Sequence, residues 1–349
     1  MAKVIPKIAV AIKKGGQGKT TVTRGLAEHF GIRRRKGVAL LDLDAQCNLS
    51  TSYLETENTR DVGTRPPIHP DYDPANPDPF LVAGRSSTAE IFYSGQIKLY
   101  DITKVSGMET VQILPADEQK LAQVARADRL SATLKGEEKR QFKTSLENRL
   151  KEFFESAEED LAKQFELILM DLPYAENILT SVALRACTHL LIPFDCEPLG
   201  VDGMYKMLGM WRQENKRRSR ADRVKILAIQ PNRYKARRAS QEELLKAMED
   251  EQQSGLVAQF MSKIRIPDLN EFSQIYQPKA RPQSVFHLSR HSKARQVAER
   301  FGDHMEERLF GDKSALTETE QTELDKQLES VVPTEILESS EEPSAAVNG

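Results

Sequence analysis

The tightest constraint on this 349-residue chain is the stretch Lys13-Lys14-Gly15-Gly16-Gln17-Gly18-Lys19-Thr20-Thr21 near its start. A β-prone apolar run, Lys7 to Ile12, leads into it, and a helical stretch, Thr20 to Phe30, follows at once. Glycines let backbone N–H groups wrap phosphate oxygens, and the helix start adds the positive end of its dipole. In such a loop Gly15, Gly16, Gln17, Gly18, Lys19, Thr20 and Thr21 cradle the phosphates. Lys19 bridges the β- and γ-phosphates, and the Thr20 hydroxyl ligates Mg2+. The common pattern G-x-x-x-x-G-K-[ST] needs glycine at position 13, where this chain has lysine. A strict pattern search therefore fails, although strand, loop and helix remain in register.

After Gly37 a second buried strand, Val38 to Leu41, ends at Asp42. Similar short apolar runs recur at Glu166–Met170, Thr188–Phe194 and Val224–Ile229, with helical stretches at Ile178–Ala186 and Val201–Gln213. Continuously apolar strands alternating with helices predict an α/β fold, a doubly wound and mostly parallel sheet with helices on both faces. Two regions break the rhythm. Residues 56–86, with prolines recurring from Pro66 to Pro79, read as an extended surface insertion. Residues 137–163 read as a charged, solvated surface helix. A last helix is expected at about 291–308, so residues 1–310 read as one catalytic domain and residues 311–349 as a disordered tail.

Charge supports that division. The 50 Lys+Arg and 52 Asp+Glu nearly cancel, but the tail holds ten acids and two lysines, leaving a body of net +6. No apolar run reaches the ~18–20 residues of a membrane helix, and the start has too short an apolar core for a signal peptide. Cys47, Cys187 and Cys196 have no C-x-x-C spacing, which excludes a disulfide framework or zinc site and fits a reducing cytosol.

Lys14, directly before Gly15-Gly16, gives the loop the form x-K-G-G-x-G-K-[ST], which resembles the deviant Walker A loop of the ParA/MinD ATPases. The resemblance implies ATP and Mg2+ as cofactors and a nucleotide-sandwich homodimer in which Lys14 reaches the partner's ATP. A second cation there stabilises charge in the transition state and ties catalysis to dimerisation. Asp42-Leu43-Asp44-Ala45-Gln46-Cys47-Asn48-Leu49-Ser50 is similar to the family's D-x-D-P-Q-x-N-x-[ST], with Ala45 where proline is common. By that match Asp44 orients the attacking water and Asp42 supports the Mg2+ shell. The strand ending Met170-Asp171-Leu172-Pro173-Tyr174 resembles a Walker B segment, with Asp171 holding Mg2+ through water. The family commonly reads D-x-P-P there. Asn232, closing a later strand, falls where the family contacts adenine, and Cys196 falls in the family's C-E-P segment as a packed position, not a redox cysteine. The resemblance covers roughly residues 7–56, 87–124 and 164–308.

Positive charge concentrates in two runs. Residues 212–238 hold eleven basic side chains against two acids, and residues 279–300 hold six against Glu299. Such runs suit phosphate backbones without sequence readout, and they are also what ordinary solvated faces look like. Arg217, Arg218, Arg220, Arg237 and Arg238 are the DNA-binding candidates. In many partition ATPases the late I-P loop carries arginines linked to DNA binding, whereas Ile266-Pro267-Asp268-Leu269-Asn270-Glu271 offers acids. Either the DNA surface has moved to Arg217–Arg238, or DNA is not gripped in the usual way.

The resemblance therefore implies a slow, partner-stimulated ParA-type ATPase in the cytoplasm, associated with the nucleoid. It would bind DNA non-specifically and segregate a plasmid or chromosome with a ParB-like partner. Three alternatives remain: an ATPase positioning a protein cargo, a MinD-like membrane ATPase, or a metabolic ligase or iron–sulfur reductase on the same scaffold. A membrane role needs a basic amphipathic C-terminal helix, and this tail is acidic and broken by Pro333 and Pro343. The three cysteines do not match a cluster-bridging pattern. Sequence-specific repressor activity is not expected, because the phosphate loop begins by residue 13. The tail is either an inert solubilising end or a competitor of DNA for the Arg217–Arg238 surface.

Overall fold

The computed structural model of the chain describes residues 5–130, 133–174, 177–250, 255–275 and 283–311. The acidic tail from residue 312 onward, and Lys279 and Arg281 of the second basic run, lie outside the described residues. The strands are β1 (Lys7–Val10), β2 (Val38–Asp42), β3 (Glu57–Thr59), β4 (Gly63–Arg65), β5 (Tyr100–Asp101), β6 (Val111–Leu114), β7 (Leu167–Asp171), β8 (His189–Asp195) and β9 (Lys225–Asn232). The helices are α1 (Lys19–Glu28), α2 (Asn48–Tyr53), α3 (Glu90–Tyr93), α4 (Glu118–Leu130), α5 (Gly136–Gln164), α6 (Ile178–Ala186), α7 (Pro198–Lys216), α8 (Ala239–Asp250), α9 (Gly255–Phe260), α10 (Asn270–Ile275) and α11 (Lys293–Phe310).

Seven strands form one sheet in the order β5-β6-β2-β7-β1-β8-β9, parallel except where β5 pairs antiparallel with β6. Alternation along the strands explains their continuous apolar character. Ile8, Val10, Leu40, Leu167 and Leu169 enter one core with Val22, Leu26 and Phe30 of the α1 region and Phe301 and Met305 of α11. Their neighbours Ala9, Leu41, Ile168, Met170 and Ile192 enter the opposite core with Leu150 and Phe154 of α5, Val182 of α6 and Trp211 of α7. Helices thus cover both faces, and the central strands bury apolar side chains on each of them.

Two expectations need correction. The charged helix is solvated only in its first part. From Glu147 onward α5 buries Leu150, Phe154 and Leu161, and Glu147 pairs with Arg185 of α6 at 2.7 Å. The insertion is not simply extended either, since β3 and β4 form an antiparallel hairpin with Glu57 opposite Arg65. The rest is tied to the body: His69 bonds the Leu99 carbonyl at 3.0 Å, and Lys98 pairs with Asp71 at 2.8 Å and Asp78 at 3.1 Å. Side-chain partners replace regular structure in a segment whose prolines cannot donate backbone hydrogen bonds.

Because the sheet is parallel, the C-terminal ends of β1, β2, β7, β8 and β9 share one edge. That edge places the phosphate loop, Asp42, Asp171, Asp195 and Asn232 together, in the crevice where open α/β sheets bind ligands.

Candidate nucleotide site

The loop from β1 enters α1 through Gly18, which sits in the left-handed region with φ 78°. A Cβ there would also collide with the amide nitrogen of Asn232. Asn232 itself is buried and donates that nitrogen to the Gln17 carbonyl at 2.7 Å. Its place next to the loop matches the sequence, and its amide nitrogen holds the loop backbone. Arg233, also at positive φ, donates to the Gly16 carbonyl at 2.9 Å. The end of β9 therefore clamps the loop from Gly16 to Gln17. This was missed in sequence, since a backbone clamp leaves no motif.

Lys19 lies at the first position of α1, buried, and burial lowers its ammonium against the opposing pull of Asp171 and Asp44. Thr20 donates its hydroxyl to Asp171 Oδ2 at 2.6 Å, and Thr21 follows in the same helical turn. Asp42 and Asp171 stand side by side in the β2–β7 register. Asp42 accepts from the Ser50 N–H at 2.9 Å, from the Ser50 hydroxyl at 2.6 Å and from the Asp44 N–H at 3.1 Å. Burial above all pushes the carboxyls of Asp42 and Asp171 well up, the neighbouring Asp171 adding to the rise at Asp42. Asp44 is raised by burial too, against a bond from the Gln46 N–H and the charge of Lys19.

Asp171 and Asp44 thus act on the Lys19 ammonium, Asp171 also accepts from Thr20, and Asp42 stands beside Asp171 as a third carboxyl. If all ionise, a buried excess of negative charge remains, which a hard divalent cation with oxygen ligands would neutralise. Beside them, Lys19, the loop N–H groups and the start of α1 offer positive potential to phosphates. The donor set fits Mg2+ and a nucleotide triphosphate. Elsewhere His29, Asp303 and Glu306 gather within reach of one ion, but Arg33 holds Asp303 at 2.8 Å and Arg34 holds Glu306 at 2.5 Å, so arginines already supply the cations.

Lys14 occupies a different side of the loop, 3.8 Å from Asp195. Tyr174, where the family commonly has proline, sets its ring beside Gly15 and 5.9 Å from the Lys19 ammonium. The three cysteines are buried, and burial raises Cys187 and Cys196 to about 12 and Cys47 further, leaving inert thiols.

The basic candidates do not form one patch. Arg217, Arg218 and Arg220 precede the start of β9 and Arg237 and Arg238 follow its end, so eight residues of strand separate them, about 25 Å. Arg218 is a structural arginine: 14% exposed, it pairs with Glu214 at 3.0 Å and donates to the carbonyls of Leu184 at 2.7 Å, Arg185 at 2.5 Å and Cys187 at 3.2 Å. It closes the end of α6, which removes it from the DNA-binding candidates. Arg238 pairs with Glu197, and Asp268 of the I-P loop lies 3.2 Å from Lys235 and 3.7 Å from Arg233. Arg217, Arg220 and Arg237 are exposed.

A protein-family profile described as "AAA domain" matches residues 5–224, which takes in the loop, both acidic strand ends and the sheet edge. The chain belongs to this P-loop ATPase family, in its ParA/MinD branch with the deviant Walker A loop. Solved structures with the same fold include the ATP complex of a single-residue variant of Cyanothece McdA, with a TM-score of 0.61, 16% identity and coverage of 90% of this chain and 100% of that one. Cobyrinic acid a,c-diamide synthase from Mycobacterium smegmatis, with ADP and magnesium bound, aligns with a TM-score of 0.56 at 20% identity over 88% and 97% of the two chains. A putative plasmid partition protein from Borrelia burgdorferi B31 bound to AMPPNP aligns at 0.54, with 16% identity over 86% and 98%. At these identities the likeness speaks for the fold alone. Among the described residues no helix is long and apolar enough to cross a membrane.

Proposed function

We propose that this chain is a ParA-type ATPase that binds Mg·ATP, dimerises face to face, holds DNA non-specifically and hydrolyses ATP slowly until a ParB-like partner speeds turnover, so segregating plasmid or chromosomal DNA. The observation that carries this reading is Lys14: a second lysine on the phosphate loop, 30% exposed, outside the ring of acids that surrounds Lys19. Magnesium, held by Thr20, Asp171 and Asp42, would draw charge from the phosphates. The chain's own groups do the rest: loop N–H groups and Lys19 orient the phosphates, Asp44 holds water in line, and Lys14 of a second copy completes the charge. Tyr174 (51% exposed) and Leu199 (67% exposed) leave large apolar surface near the loop, which suits a face covered by that second copy.

DNA would then be met by Arg217, Arg220 and Arg237, with Arg238 weakened by Glu197. The pairing of Arg238 and Lys235 with acids and the loss of Arg218 favour the second reading, an ATPase of the same family that positions a protein cargo. Measuring ATP turnover and co-sedimentation with random-sequence DNA separates the two. Binding to DNA only in ATP, weakened steeply by salt, is the partition result; indifference to DNA at low salt leaves the cargo reading. The domain reading of residues 1–310 and the role of the tail belong to this proposal, and deleting residues 311–349 should tighten DNA binding if the tail competes.

A further inference from the structure

We propose that Asp195 is a positioning residue that holds Lys14 against its own subunit, and that breaking this hold is a step in forming the ATP-bound dimer. The proposal rests on the reading of Lys14 as a residue that acts on a second copy.

Asp195 ends β8, and its neighbours on either side build a fixed seat for it. Gln17 of the phosphate loop is buried and meets it twice: Gln17 Nε2 donates to Asp195 Oδ2 at 2.9 Å, and the Asp195 N–H donates to Gln17 Oε1 at 2.6 Å. The start of α7 closes over this pair. At Gly200 any Cβ would strike both Asp195 Oδ1 and the Asp195 carbonyl, so only glycine permits the approach. At Gly203, one turn on, a Cβ would stand 3.2 Å from Lys14 Cβ. The helix thus flanks the stem of Lys14 while the carboxylate faces its head.

The carboxylate is not satisfied by these contacts. Asp195 Oδ1 is buried without a hydrogen-bond partner, and Oδ2 is shared between Gln17 and the Lys14 ammonium at 3.8 Å. A half-buried carboxylate with one oxygen buried and unpartnered is costly unless a cation stands near, and Lys14 is the cation within ion-pair distance. Side-chain exposures of 30% for Lys14 and 17% for Asp195 leave the lysine room to swing out. It cannot lie on Asp195 and also reach the phosphates of a second copy. Each subunit therefore gives up one ion pair on dimerising, and the monomer is favoured by that amount. Gln17, which occupies the variable position of the loop, is fitted to Asp195, so the device is built from residues of this chain that no phosphate-loop pattern specifies.

Asp195→Asn keeps the shape and an oxygen for Gln17 while removing the charge. The expected result is ATP-dependent dimerisation about fivefold tighter, equivalent to about 1 kcal/mol over the two pairs. In nucleotide-free protein an amine-reactive acylating reagent should modify Lys14 faster in the variant, by peptide mass spectrometry with Lys13 as reference, and Asp195→Glu should restore the slow rate. Raising salt on the unmodified chain should speed Lys14 acylation in the same direction, a measurement that does not depend on any variant folding. Unchanged or weaker dimerisation in Asp195→Asn, or Lys14 acylation insensitive to both the variant and salt, overturns the proposal. If instead Lys14→Ala dimerises normally, the reading of Lys14 itself has failed, which is a separate outcome.

Discussion

Two lysines of the phosphate loop, Lys14 and Lys19, stand five positions apart, and the fold treats them differently. Lys19 is buried at the start of α1 under the charges of Asp171 and Asp44, with Asp42 beside Asp171, a setting whose charge a bound cation and phosphates would balance. Lys14 is partly exposed on the other flank, where among the described residues Asp195 is the carboxylate within ion-pair distance. The first environment is complete within one chain and suits gripping a nucleotide. The second has one weak partner and suits a group that leaves its own subunit. Position relative to the sheet edge decides which lysine does which: Lys19 sits over β7 and β2, Lys14 beside β8 and α7.

Substitutions at the acid-ringed side should have the largest effects. Lys19→Ala removes the one ammonium in that ring, and turnover should fall at least ~1000-fold with nucleotide binding largely lost, read by single-turnover hydrolysis and a fluorescent ATP analogue. Normal binding would mean that the ring does not hold phosphate. Asp44→Ala spares Lys19, Thr20 and Asp171, so ATP should still bind and dimers should accumulate while hydrolysis drops ~100-fold or more. Wild-type hydrolysis in that variant would remove Asp44 from the reaction. Gly18→Ala forces a side chain into the left-handed region and against Asn232, and should cost about 1–3 kcal/mol in urea unfolding as well as weaken ATP. A variant as stable as the parent would show that β9 does not fix the loop.

The smallest effect belongs to the far end of β8, which serves as a control remote from both lysines. Burial, with Lys225 nearby, lowers His189 from 6.5 to about 4. The unfolded chain therefore takes up this proton first, and the contribution to stability is lost as pH falls from about 6.5 to about 4. His189→Gln should flatten that part of a stability–pH curve and leave ATP turnover at pH 7 unchanged. An unaltered acid limb would mean that the surroundings of His189 do not hold its imidazole low.

Much of this molecule could be read from residues. Strands that bury both faces are continuously apolar, so β1, β2, β7, β8 and β9 and the helix Ile178–Ala186 stood out. The loop and its two acidic strand ends were legible because phosphate and metal chemistry restrict residue types at fixed spacing. Short β5 and β6 carried no comparable signal, and the β3–β4 hairpin is stabilised by cross-pairs such as Glu57 with Arg65, which composition hides behind the prolines. Long-range pairings were the main loss. Gln17 with Asp195, Asn232 with the loop backbone, and Arg218 with the end of α6 join residues 31 to 215 positions apart. A count of arginines could not separate Arg218, which caps carbonyls, from Arg217, which faces solvent.

The central claim, that the loop's second lysine acts on another copy, is tested most directly by sedimentation velocity of Lys14→Ala with and without ATP, with nucleotide binding measured in parallel. The account predicts a protein that binds ATP yet stays monomeric and inactive, while the parent chain shifts to a dimer. A Lys14→Ala protein that dimerises in ATP and turns over at the parent rate would contradict it.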